Sequence, residues 1–362
     1  MNILKSKYKI IILFFSFSIV FTSCVKEPVS PLISSNDTSS KGIYVICEGL
    51  WHYDNSALSK INENDGNIIP NYFQLINNYK LGDLANGGIM YKNDLYIVLT
   101  TPAIIEKINL LTGKSIGRLK LKPESDPRKI YILNDTTAYI TNLMNHSVSV
   151  INPRDMIDKN IEITVGPAPE NISGDGKYVY VANSGFGDYL YDEPGAGTIS
   201  VINSANNNEI NKIPCGENII EVKYNKKLNR LYACYFHLPS NKDSVGGIVE
   251  YSLPHQKEIN RLRSRANAIA FSEDEVDMFY NTDEGIYRIN LLNNEFKPEL
   301  IIKNPNQKEK WYSIAQYGNK IYIGNAKNYQ TKGEVIVYSM SNFSQPIAKY
   351  EVGLNPNTII KY

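Results

Sequence analysis

From Gly42 to Tyr362 the chain is a succession of short runs in which apolar and polar positions alternate, broken by Asn, Asp, Gly and Pro. One run carries an aromatic and recurs as GIYVICEG (42–49), DLYIVLTT (94–101), TAYITNLM (137–144), YVYVANSG (178–185), RLYACYFH (230–237), DMFYNTDE (277–284) and KIYIGNAK (320–327). A second follows each copy: SALSKIN (56–62), IIEKIN (104–109), SVSVIN (147–152), TISVIN (198–203), GIVEYS (247–252), GIYRIN (285–290) and EVIVYS (334–339). A further run closes near Val-Gly, as in EITVG (162–166), NKIPCG (211–216) and KYEVG (349–353). The next unit opens on Pro, polar residues and a short apolar strand, as in APENIS (168–173) and NPNTII (355–360). Period-two alternation with turn residues at the breaks predicts hairpins. No stretch keeps a helical period.

The copies lie about 41 to 53 residues apart, enough for four short strands and their turns. Seven such antiparallel units predict an all-β, seven-bladed β-propeller over residues 42–362. The first unit lacks its first strand and the chain ends on a spare one, Pro356 to Tyr362. The C-terminal strand is therefore expected to close the first blade, which removes two sheet edges. Gly174-Asp175-Gly176-Lys177 falls between two strands and reads as a hairpin turn.

Residues 1–23 have a different pattern: Lys5, Lys7 and Lys9, then an apolar or hydroxyl run from Ile10 to Phe21. It is too short for a membrane-spanning helix and reads as an export signal. Small residues directly before Cys24 resemble a bacterial lipoprotein signal, which implies lipidation of Cys24. Residues 24–41 would then be the lipidated Cys and a tether, rich in Pro, Ser, Asn and Asp and unable to bury a core.

Composition adds exclusions. The 38 Lys and Arg against 37 Asp and Glu give a net charge of +1, which argues against nucleic acid as a partner. The 26 Tyr against 4 His suit strands and tight turns. Cys47, Cys215 and Cys234 remain beyond Cys24, with no CxxC spacing. Each sits in or beside a predicted strand, where a buried free thiol is expected; Cys215 with Cys234 is the pairing to test for a disulfide.

In this topology the loops between second and third strands share one face with the inter-blade segments. The former are long in blade 1 (Glu48 to Asn55), blade 4 (Asn183 to Gly197), blade 5 (Tyr235 to Gly246) and blade 7 (Asn325 to Gly333). They carry Trp51, His52 and Tyr53; Phe186, Tyr189 and Tyr191; Tyr235 and His237; and Tyr329. Asn142 and Asn183 stand at strand ends on that face. Inter-blade segments add Asn86, Arg128, Glu170, Asn218, Trp311 and Tyr312. Exposed rings beside amides and hydroxyls suit a large, partly apolar ligand with many hydrogen-bonding edges.

Catalytic signals are sparse: no GxSxG, no HExxH and no phosphate-binding glycine loop, so the protein is expected not to be an enzyme and to need no catalytic cofactor. Asp188, Asp192 and Glu193 solvate a loop or hold calcium; Glu170 and Asp283 are further carboxylates. His52, His146 and His237 lack the spacing of a known metal site, and none is expected; His255 lies in a turn on the opposite side.

The segment YVYVANSG…GTISVINSANNNEINKIPCG (178–216) is similar to YVTN-type propeller repeats, with Tyr180-Val181-Ala182-Asn183 as the tetrad. ICEGLWHYDNSALSKIN (46–62), LGDLANGG (81–88), DPRKIYI (126–132) and VGPAPENI (165–172), in that order, resemble a family of Bacteroidota surface lipoproteins across residues 42–362. Its best understood members bind cobalamin and cap a TonB-dependent outer-membrane transporter. The resemblance implies capture of a corrinoid as ligand at the cell surface, an outer-membrane lipid anchor and a transporter partner, with Cys47 and His52 in the segment where contacts are expected. Another transporter cargo such as a siderophore, a scaffold or adhesion propeller without small ligand, and a propeller lyase or lactonase are the alternatives.

Overall fold

The computed structural model describes residues 42–362 except Lys242, Ser244, Pro254 and Asn294. The signal, Cys24 and the tether lie outside the described residues. Seven four-stranded antiparallel sheets follow one another along the chain. Blade 4 shows the pattern: Pro169–Gly174 innermost, then Tyr178–Asn183, Thr198–Asn203 and Asn208–Pro214 outermost. The propeller expectation holds.

Burial explains why the runs differ in character. The second and third strands are buried on both faces, as in Gly42–Cys47 and Ser147–Asn152, so they read as nearly continuous apolar segments. Only the outer strands alternate; Ser115–Lys120 has every second residue exposed. Each blade packs face to face on two neighbours, and an apolar cluster fills each interface. The recurring tyrosine adds a polar tie across several of them. Tyr44 donates to the Leu110 carbonyl at 2.8 Å, Tyr96 to Pro153 at 3.0 Å, and Tyr322 to the Glu63 carboxylate at 2.6 Å.

Pro356–Lys361 pairs antiparallel with Gly42–Cys47, with Val45 opposite Ile359. The Tyr44 and Tyr362 rings stack at 4.3 Å. The ends of the propeller therefore close the first blade as expected.

One element departs from the pattern. The outer strand of blade 1 is only Ile68–Ile69, and a six-residue helix, Tyr72–Asn77, follows it. Tyr72 and Phe73 bury into the interface of blades 1 and 2, and Asn78 ends the helix in the left-handed conformation at φ 59°. Fewer than two turns leave no period to detect in a sequence.

Candidate functional site

In every blade but the sixth, the loop between second and third strands hydrogen-bonds the inter-blade segment before it. Ser184 N–H donates to the Ala168 carbonyl, Phe236 N–H to Asn218, and Ala326 N–H to Lys310. Both loop types thus form one mouth around the central channel.

A repeated irregularity shapes that mouth. In blades 2, 4, 5 and 7 the pairing of first and second strands skips Asn86, Glu170, Ile220 and Tyr312; blade 3 skips Arg128 and Lys129, and blade 1 skips Asn357. These are β-bulges, which release a residue from the ladder and re-aim its side chain. All of the skipped residues line the upper channel cavity, of about 250 Å³. The residue just before each bulge stays paired and buried: Ala85, Pro127, Pro169, Ile219, Trp311 and Pro356.

That register corrects the expectation for Trp311. Opposite Asn325, it occupies the place that Pro127 holds opposite Asn142 and Pro169 opposite Asn183. Trp311 is 1% exposed and packs between blades 6 and 7. Tyr312, one residue on, reaches the cavity. Asn142 and Asn183 are also withdrawn from any ligand. Asn142 donates to Ser147 and Ser149, and Asn183 to Thr198 and Ser200, so they fasten the second strand to the third. Tyr235 belongs to the core of blades 4 and 5, and Cys47 is fully buried in that of blades 1 and 7.

The remaining aromatics stay at the surface. Tyr189 is 79% exposed, Tyr53 68% and Trp51 65%; Phe186, Tyr191 and Tyr329 are also exposed. Trp51 and His52 pack ring to ring at 4.3 Å, Phe186 stacks on Tyr189 at 5.3 Å, and Tyr329 meets Tyr312 edge-on at 5.7 Å. His52 N–H donates to Asp83 at 2.8 Å, holding the blade 1 loop. Asp188 accepts from the Ser240 hydroxyl at 2.6 Å and the Ser240 N–H at 3.0 Å, joining the blade 4 and blade 5 loops. Asp192 and Glu193 are exposed, as is His255 in its turn, and His237 and His146 are half-buried. Among the described residues no three His, Cys, Asp or Glu side chains lie together as metal ligands. Tyr191 and Asn218 line a separate crevice of about 290 Å³ between blades 4 and 5.

Charge in the channel is mostly paired. Arg128 donates to Glu170 through Nε at 2.9 Å and Nη2 at 2.5 Å. Burial opposes the Arg128 charge, but Glu170, Glu48 and Tyr312 outweigh it and hold its pKa above the ordinary value. Burial, aided by the Glu48 carboxylate that accepts its proton at 2.6 Å, pushes the Tyr312 hydroxyl well up. Glu221 takes Lys223 at 2.8 Å and the Ile269 N–H at 2.7 Å. Asp283 is likewise engaged, by Lys310 at 2.9 Å. Below, a wider section of about 550 Å³ is lined by first-strand residues including Gly88, Tyr131, Ile172, Phe271 and Tyr317.

Sequence reasoning missed Lys129, Arg265 and Asn357, all of which line the upper cavity, as does Phe236 of the blade 5 loop. For Lys129 and Asn357 a signal existed: each follows the Pro that opens its blade by one or two residues, as Glu170 does.

The three cysteines are buried and free, so Cys215 and Cys234 are not bridged. No helix among the described residues is long and apolar enough to cross a membrane.

The family described as a domain of unknown function, DUF5074, matches residues 41–355. No curated protein matches in sequence. Among solved structures, a candidate 6-phosphogluconolactonase from Bacteroides fragilis is similar at 12% identity and a TM-score of 0.63, covering 91% of this chain and 100% of its own. Hydrazine synthase from Kuenenia stuttgartiensis is similar at 17% identity and a TM-score of 0.61, covering 75% and 88%. At these identities the likeness is one of fold.

Proposed function

The chain belongs to the DUF5074 family, here a seven-bladed propeller resembling the lactonase-type YVTN propellers, and we propose that it is a surface lipoprotein that captures cobalamin and passes it to a TonB-dependent outer-membrane transporter. One observation carries the reading. Of the exposed large aromatics among the described residues, all except Tyr79 lie on mouth loops: Trp51, Tyr53, Phe186, Tyr189, Tyr191 and Tyr329. The exposed aliphatics of the outer strands, such as Ile116, Ile210 and Ile259, are scattered over several blades, which is ordinary surface. A scaffold or adhesion propeller has no reason for that asymmetry.

The size of the cavity supports a ligand that lies on the rim. About 250 Å³ is below the range that encloses a drug-sized molecule, and a corrinoid is larger still. Rings from blades 1, 4 and 7 offer stiff apolar area around the opening, while Asn and Tyr groups below supply orientation. Catalysis has less support, because the channel carboxylates Glu170 and Glu221 are engaged by cations and no pair of them is free to act as acid and base. The anchor rests on the Cys24 signal; a tether beside the transporter raises the effective concentration of the captured ligand.

Calorimetric titration of residues 42–362 with cyanocobalamin tests the reading. A nanomolar or tighter Kd, weakened by about 1 to 4 kcal/mol in Trp51→Ala and Tyr189→Ala, is the expected result. Absence of heat at tens of micromolar overturns cobalamin, and ferric siderophores are then the next cargo to titrate.

A further inference from the structure

We propose that the upper channel cavity is a subsite for a phosphate-class oxyanion held between Lys129 and Arg265. The ion pairs around it leave these two cations over. Arg128 is taken by Glu170, and Glu221 by Lys223. Neither Lys129 nor Arg265 has a carboxylate within ion-pair distance among the described residues. The Lys129 ammonium donates to the Asn86 carbonyl. Burial first, and then Arg128, lower its pKa, so an anion placed beside it relieves an unfavourable charge.

The surroundings are built for that amine. A Cβ at Gly87 would stand 2.8 Å from Lys129 Nζ, so a bare backbone there leaves the lysine its path into the channel. Arg265 lies over the Phe236 ring at 4.8 Å, which orients its planar fork while its N–H groups stay available. A guanidinium fork with an ammonium is the pairing that suits phosphate oxygens. Asn357, which lines the same cavity, donates to the Ala85 carbonyl at 2.7 Å and keeps a buried Oδ1 without a donor, a position for a ligand hydroxyl. The volume, about 250 Å³, admits a phosphate and a few attached atoms.

The oxyanion is either free or an arm of the molecule on the rim; the second form rests on the corrinoid reading above. The full-length chain in detergent is titrated with inorganic phosphate, with cyanocobalamin, which carries a phosphodiester, and with cobinamide, which lacks it. Expected are a preference of about tenfold or more for cyanocobalamin over cobinamide, its collapse in Lys129→Met and Arg265→Gln, and its partial return in Arg265→Lys. Arg265 is exposed, so its variants remain informative if Lys129→Met fails to fold. Phosphate binding that is lost in the variants, without any cobalamin binding, keeps the subsite as a free-anion site and removes the corrinoid reading. Equal binding of the two corrinoids with no phosphate binding overturns the subsite and leaves the corrinoid reading standing. Silence from all three overturns both.

Discussion

Tyr312 donates its hydroxyl hydrogen to the Glu48 carboxylate at 2.6 Å, joining residues 264 positions apart across the seam where blade 7 meets blade 1. The bond is partly buried and its acceptor is a carboxylate, so it belongs to the stronger class of hydrogen bonds. Tyr312→Phe is expected to cost about 1.5 to 3 kcal/mol in urea unfolding, since Glu48 keeps its burial and loses its donor. A loss below half a kilocalorie would mean that water replaces the hydroxyl.

The adjacent residue behaves differently from the rim aromatics. Trp311→Ala empties a core position between blades 6 and 7 and is expected to cost about 3 to 5 kcal/mol. Tyr189→Ala removes a ring that is mostly in solvent and is expected to change stability by less than about 0.5 kcal/mol, with its effect confined to binding. Thermal melts of the two variants side by side separate core from rim.

Ring closure predicts the effect of a short truncation. Removing residues 356–362 uncovers the inner edge of Gly42–Cys47, a strand buried along its whole length. An apolar open edge is a template for pairing with other chains, so the truncated protein is expected to elute as oligomers or aggregate in size-exclusion chromatography. A well-behaved monomer with native melting would show that closure is dispensable.

The thiols give a pH signature. Burial first of all raises the Cys47 and Cys215 thiols from 9.0 to about 12, and Cys234 is raised as well. Between those values the unfolded chain gives up protons that the folded one keeps. The Cys47 and Cys215 thiols therefore contribute their full stabilisation below pH 9 and lose it progressively up to about 12. A thiol reagent at pH 8 is expected to leave all three unmodified until denaturant is added; fast native labelling would contradict their burial.

Much of the architecture was legible because the unit is spelled seven times. Strand order, the hairpin at Asp175 and the return of Pro356 to the first blade all follow from aligning copies. The mouth was legible only in part. Tyr189 and Trp51 stand on loops whose length announces them, whereas the inter-blade position of Trp311 points to the mouth without telling which way its side chain turns. Aligning it with Pro127 and Pro169 puts it on the paired, buried side of the bulge and its neighbour on the channel side. Lys129, Arg265 and Asn357 come from blades far apart in sequence, and nothing local to any of them says that the others are near. Their meeting is a property of the closed ring. The asparagines 142 and 183 share a different origin: their signature spacing reflects a tie between strands.

The recurrent bulge also bears on how such a receptor can change. Asn86, Arg128, Glu170, Ile220, Tyr312 and Asn357 face the channel from positions that take no part in the ladder between first and second strands. Exchanging one of them leaves the adjoining pairs, and the buried residue just before the bulge, untouched. Recognition can therefore drift one blade at a time, like the wards of a lock recut singly, while the ladder that frames it stays paired. Where the side chain ties two blades, as Tyr312 does to Glu48 and Arg128 to Glu170, the exchange also costs stability.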